Sequence, residues 1–290
     1  MSIDDGLLPC EQQDVALLCD LWRTGQGTGH GAAAGDASGL SAAQQAAVDR
    51  ALFEAAGDEA MLESVLELLG VGADVDWSEP HFGDTPLLRA SEEGCADVAA
   101  ALLAAGADVH AANRYGDSAL SGASGGDHEV IVGALLACGA DPDVRDEGGW
   151  TPLLWASSEG NAGAAAVLLE GGASVDDADE GGRTALTRAA MRGHAEVAEL
   201  LVGAGASVDA RDEGGWTPLL WASGPPCSPE GFADVARLLV EAGADVNAAG
   251  ADGETPLGRA GSAEVAQLLE AAGARRAAET AEAEDGDCDA

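Results

Sequence analysis

The chain contains no lysine. All thirteen basic residues are arginines, set against 52 acidic residues for a formal net charge of −39. Such a surface repels phosphate backbones and anionic lipid, so direct binding to nucleic acid or a membrane is not expected. Aromatic residues are equally scarce, at 3% of a chain that is 47% apolar. The interior must therefore be built from Ala, Leu and Val, which suits thin layers of closely packed helices. Six cysteines (Cys10, Cys19, Cys95, Cys138, Cys227 and Cys288) show neither a CxxC pair nor the spacing of a disulfide framework. Reduced thiols in an intracellular, cytoplasmic or nuclear protein are the expectation. The start MSIDDGLLP is acidic where a secretion signal is basic, and the apolar run at residues 99–107 falls far short of the roughly 20 residues of a membrane span. No metal-ligand spacing stands out either. The stretch Asp141-x-Asp143-x-x-Asp146 lacks the glycine and the bidentate glutamate of a calcium loop, and no cofactor fingerprint is present.

What is abundant is repetition. The tripeptide Thr-Pro-Leu or a close variant begins at Thr85, Ser118, Thr151, Thr184, Thr217 and Thr255, in four steps of 33 residues and one of 38. A second marker, Gly-Ala-Asp/Ser, begins at Gly72, Gly106, Gly139, Gly172, Gly205 and Gly243. Such a period is the signature of a stacked-repeat architecture. In TPLLWASSEG (151–160), Thr151 suits an N-cap, Pro152 the first helical position and Gly160 a helix stop. A second helix is expected over 161–173, with Val167, Leu168 and Leu169 facing inward. The acidic SVDDADEGGR that follows reads as a projecting turn. Its paired carboxylates, such as Asp179-Glu180 and Asp212-Glu213, are expected to be solvated.

These markers resemble the ankyrin-repeat family, whose unit is a β-turn followed by two antiparallel helices carrying Asp-x-x-Gly-x-Thr-Pro-Leu-His-x-Ala. The resemblance covers roughly residues 49–276 and implies an all-α solenoid of about seven helix-turn-helix units with projecting β-turns. Residues 49–75 resemble an N-terminal cap and 255–274 a C-terminal one. The family's histidine is missing throughout, being replaced by Leu88, Ser121, Leu154, Thr187, Leu220 and Gly258. The glycine-rich unit 114–146 is expected to be the weakest layer. In domain terms, 1–40 is an extension with one amphipathic helix (9–23) and a Gly/Ala-rich linker. Residues 41–278 form the repeat array, Ser41 and Gln44 resemble a capping box, and 279–290 is an acidic tail. The loop 224–231 carries an insertion.

The resemblance implies a protein–protein interaction module, an adaptor or scaffold, rather than an enzyme. The repeats consume the chain, and GASGG (122–126), a formal Gly-x-Ser-x-Gly, falls at the end of a repeat's first helix instead of on a strand-to-helix elbow. Expected partners are another protein or peptide with basic residues, bound by a monomer. The alternative is a non-catalytic regulatory or substrate-targeting subunit, with 9–23 docking an enzyme. In the family, two positions flanking Thr-Pro-Leu face the concave, partner-binding side. Here they carry Trp150 with Trp155, Arg183 with Arg188, and Trp216 with Trp221, and Arg192 lies in the same central unit. Trp and Arg are the residue types that dominate binding hot spots. Yet RDEGGWTPLLWAS occurs twice verbatim (145–157 and 211–223), so a duplication of packed residues also accounts for the strip.

Overall fold

A computed structural model describes residues 41–224 and 229–275. The helix proposed at 9–23, the linker, most of the inserted loop and the acidic tail lie outside the described residues. The chain divides into two compact units, Met1–Glu147 and Gly148–Ala290. Among the described residues there is no strand, only two isolated antiparallel bridges, Ala112 with Ser118 and Ala178 with Thr184.

The first unit contains three helix pairs. They are α1 (Ala42–Ala56) with α2 (Leu62–Gly70), α3 (Pro86–Glu93) with α4 (Ala96–Ala104), and α5 (Ala119–Gly125) with α6 (Glu129–Ala137). The second contains four: α7 (Pro152–Glu159) with α8 (Ala162–Glu170), α9 (Ala185–Arg192) with α10 (Ala195–Gly203), α11 (Pro218–Ser223) with α12 (Pro229–Glu241), and α13 (Pro256–Arg259) with α14 (Ala263–Ala271). These are the helix pairs that the 33-residue period predicts.

Local chemistry starts each pair in the same way. The hydroxyls of Thr85, Thr151 and Thr217 accept the amides of Leu88, Leu154 and Leu220, and proline follows at the first helical position. Ser41 and Gln44 form the reciprocal capping box that the sequence suggests. Where the family has histidine, Leu88, Leu154 and Leu220 are at most 1% exposed. Apolar burial replaces a polar bond at those positions. At the remaining polar site in the first unit, the Ser121 hydroxyl donates to the Ser118 carbonyl at 2.8 Å and accepts the Ser118 amide. In the second unit, the Thr187 and Thr184 hydroxyls lie 3.2 Å apart.

The second helices bury a narrower face than expected. In α8, Ala164, Ala165 and Leu168 are buried, whereas Val167 and Leu169 are half-buried on its flanks. Alanine at the inward positions lets neighbouring helices approach closely, and leucine fills the gap between them. The thiols also differ from expectation: Cys95 is free and buried, but Cys138 is disulfide-bonded.

The glycine-rich unit differs from the others where its first helix ends. First helices α3, α7 and α9 end on Gly94, Gly160 and Gly193 in the left-handed conformation, at φ 76°, 85° and 78°. The equivalent residue after α5 is Asp127, held at φ 60° with a side chain attached. Asp127→Gly should therefore stabilise the first unit by about 0.5–1 kcal/mol. Slower amide exchange in α5 and α6 is the check.

Candidate interaction surface

The second unit assembles the strip from three turns and three first helices. Two of these turns begin with an aspartate whose side chain folds the turn. Asp179 accepts the amides of Gly181 at 2.8 Å and Arg183 at 3.0 Å, and Asp212 accepts the Trp216 amide at 2.9 Å. One carboxylate oxygen thus closes the turn. The second oxygen reaches the side chain nine residues on: Asp179 pairs with the Arg188 guanidinium, and Asp212 accepts the Trp221 indole N–H at 2.9 Å. Both aspartates are buried, at 7% and 8% exposed, while their neighbours Glu180 and Glu213 are exposed. This corrects the reading of these carboxylate pairs as merely solvated. The signal was present in the sequence: Asn113 stands at the same repeat phase, and Asn and Asp exchange where a side-chain oxygen folds a turn. Asn113 does the same work in the first unit, accepting the Tyr115 and Asp117 amides at 2.9 and 3.0 Å.

The aromatic residues pair within their own repeats. Ring centroids lie 4.6 Å apart for Trp150 and Trp155 and 4.7 Å for Trp216 and Trp221, with similar tilts of 41° and 44°. The duplicated sequence therefore gives a duplicated geometry. Arginines link the pairs: Arg188 lies 3.9 Å from the Trp150 ring centre, Arg183 5.8 Å from Trp221, and Arg259 3.9 Å from Trp216. Each such stack is worth about 0.5–2 kcal/mol, depending on how far it is desolvated. All seven of these side chains remain partly exposed. Arg259 was not among the expected site residues, although it occupies the same repeat position as Arg188. Arg192 is exposed in the last turn of α9 and takes no part in these contacts.

Electrostatics differ along the chain. Burial alone would raise the Asp179 carboxyl. The Arg183 amide, the hydrogen bond and charge of Arg188 and the Gly181 amide outweigh that and hold it below its usual value. In the first unit the corresponding surface is acidic. Glu92 is pushed up to about 7, first by lost solvation and then by Asp84, Asp117 and Glu93, with Arg89 pulling the other way. The residue as a whole is exposed, but its stem lies against Gly122 on the neighbouring helix. A carboxyl raised in the folded state disfavours folding above that raised value. Lowering the pH from 8 through 7 should therefore stabilise the first unit, levelling off near the unfolded value of 4.5. Glu92→Gln should remove most of that dependence in pH-resolved melting curves.

Among the described residues no group of His, Cys, Asp and Glu is placed to hold a metal ion. The GASGG stretch forms no elbow: Ser124 is fully buried within α5 and donates to the Leu120 carbonyl at 2.6 Å.

Paired helices, capped by Thr-Pro and separated by projecting turns, define a helical-repeat protein of the interaction type. The family profile for ankyrin repeats (three copies) matches residues 52–146 and 122–212, and the profile for a single ankyrin repeat matches residues 214–251. The chain belongs to the ankyrin-repeat family. Among solved structures it is similar to the ankyrin repeat domain of Bcl-3, described as a unique member of the IkappaB protein family. That similarity has 29% identity and a TM-score of 0.64, and covers 76% of this chain and 97% of that one. No curated protein matches the sequence. Family and neighbour together support a protein-interaction module. No helix among the described residues is long and apolar enough to cross a membrane.

Proposed function

We propose that the chain is an adaptor or scaffold that holds a partner protein or peptide against the strip of Trp150, Trp155, Arg183, Arg188, Trp216 and Trp221. Arg192 lies at its margin, and the strip forms part of the concave face that the family uses for binding. The observation that carries this reading is the partial exposure of four indoles and their stacked arginines in a chain with so few aromatics. Packing alone does not require that exposure. Rigid aromatic and guanidinium surfaces bind at low entropic cost, because their rotamers are already fixed. The exposed Glu180 and Glu213 beside the strip favour basic residues on the partner, and the protein acts as a monomer in the cytoplasm.

Changing Trp155 and Trp221 together to alanine should weaken partner binding by about 2 kcal/mol or more while the repeats stay folded. Titration calorimetry and circular dichroism on the same variant test this. Unchanged affinity with a lowered melting temperature would assign the tryptophans to packing instead.

A further inference from the structure

The strip contains positive charge that the chain leaves unanswered. With 52 acidic residues against thirteen arginines, every arginine could find a carboxylate. Among the described residues two do: Arg188 pairs with Asp179, and Arg237 holds Asp234 at 2.8 Å and Glu264 at 2.9 Å. Arg183 and Arg259 do not: among the described residues neither makes an ion pair, and the Nε of each, like that of Arg188, is buried without a hydrogen-bond partner. Both instead lie against the strip's indoles, Arg183 near Trp221 and Arg259 on Trp216. A guanidinium laid on an aromatic face keeps its N–H groups in its own plane, parallel to the ring, so they point sideways rather than into it. With Nε buried, the two Nη groups form the fork that recognises a carboxylate bidentately.

We infer that the strip takes a linear peptide segment with an aspartate or glutamate at its centre, apolar residues beside it and basic residues at its ends. The inference rests on the strip being the binding surface. The central carboxylate meets the Arg183 fork between the two tryptophan pairs, the apolar neighbours lie on the indoles, and the basic ends meet the exposed Glu180 and Glu213. Charge complementarity argues for this occupant over a uniformly basic one. A uniformly basic peptide would place like charge on Arg183, Arg188 and Arg259, and like charges in contact cost affinity. A uniformly acidic peptide would be repelled by the chain's net charge before reaching the strip.

The test is a phage-displayed random dodecapeptide library panned in parallel on the full-length protein and on its Arg183→Ala and Trp155→Ala/Trp221→Ala variants. Recovered peptides are then synthesised and titrated. The expected consensus has one Asp or Glu at a fixed position next to apolar residues. Changing that carboxylate to its amide should cost tenfold or more in affinity, as should Arg183→Ala. Arg183→Lys keeps the charge but loses the fork, and should recover only part of the loss. Peptides that need Trp155 and Trp221 but tolerate the amide would overturn the carboxylate anchor and leave the strip as the binding surface. A purely basic consensus would do the same and would assign docking to the acidic turns. Failure to recover any peptide dependent on the two tryptophans would overturn the strip reading itself.

Discussion

Gly116→Ala is expected to destabilise the first unit by about 2–4 kcal/mol, more than any other single methyl added to its turns. The residue sits at φ 81°, a conformation that costs a side-chain-bearing residue about 1 kcal/mol. The larger cost is steric. A Cβ there would lie 2.9 Å from both the Asp146 Cα and the Glu147 amide nitrogen, which are backbone atoms of the following turn. The Glu147 amide is itself bonded to the Tyr115 carbonyl at 2.9 Å, so the two turns cannot separate without losing that bond. Forcing such a contact typically adds about 1–3 kcal/mol. Gly94→Ala is the control: it bears a similar φ cost, but its obstacle is the His128 side chain, which can give way at the cost of its 3.1 Å bond to the Glu92 carbonyl, rather than backbone. Amide exchange resolved by residue suits the comparison, because repeat arrays need not unfold in a single step. Equal losses at the two glycines would mean that the turns do not stack as described.

Asp179→Ala should have a comparable effect in the second unit, lowering stability by about 2–4 kcal/mol. The substitution removes two bonds that close the turn and leaves Arg188, whose side chain is only 13% exposed, without its carboxylate. Breaking a buried pair from one side costs more than the pair contributes, because the remaining charge stays desolvated. The same geometry gives a pH dependence. With the folded carboxyl held below its ordinary 3.8, its contribution is complete above that value and is lost as the pH falls through the folded one. Acid melts of the native protein and of the alanine variant should converge at low pH. Asp179→Asn should fall between them, since an amide oxygen can still close the turn.

The fold was legible because each repeat carries its own punctuation. A Ser or Thr cap at the start, usually followed by proline, glycine at most stops and a step of 33 residues in four cases of five leave little freedom for the helix pairs, and the capping box at Ser41 is local chemistry. The site was less legible, for physical reasons. Repeat phase put the tryptophans and arginines in equivalent positions, but phase does not reveal which aspartate folds back. Asp179 and Glu180 are adjacent and carry the same charge, yet only the shorter side chain reaches the amides of its own turn. Stacking between repeats was equally hidden. It depends on the step from one layer to the next, which places Arg259 on Trp216 although 43 residues separate them. The inward face of α8 was overestimated because three successive apolar residues suggest more burial than a nine-residue helix between two neighbours provides.

The most direct test of the strip as a binding surface is the indole N–H region of a two-dimensional NMR spectrum of the full-length protein. It should be recorded with and without a peptide recovered from the library. Trp77, packed 5.7 Å from Phe53 in the first unit, is the internal reference. Partner addition should shift or broaden the indole signals of Trp150, Trp155, Trp216 and Trp221 and leave that of Trp77 in place. Saturable binding that leaves all four strip signals unchanged would contradict the account.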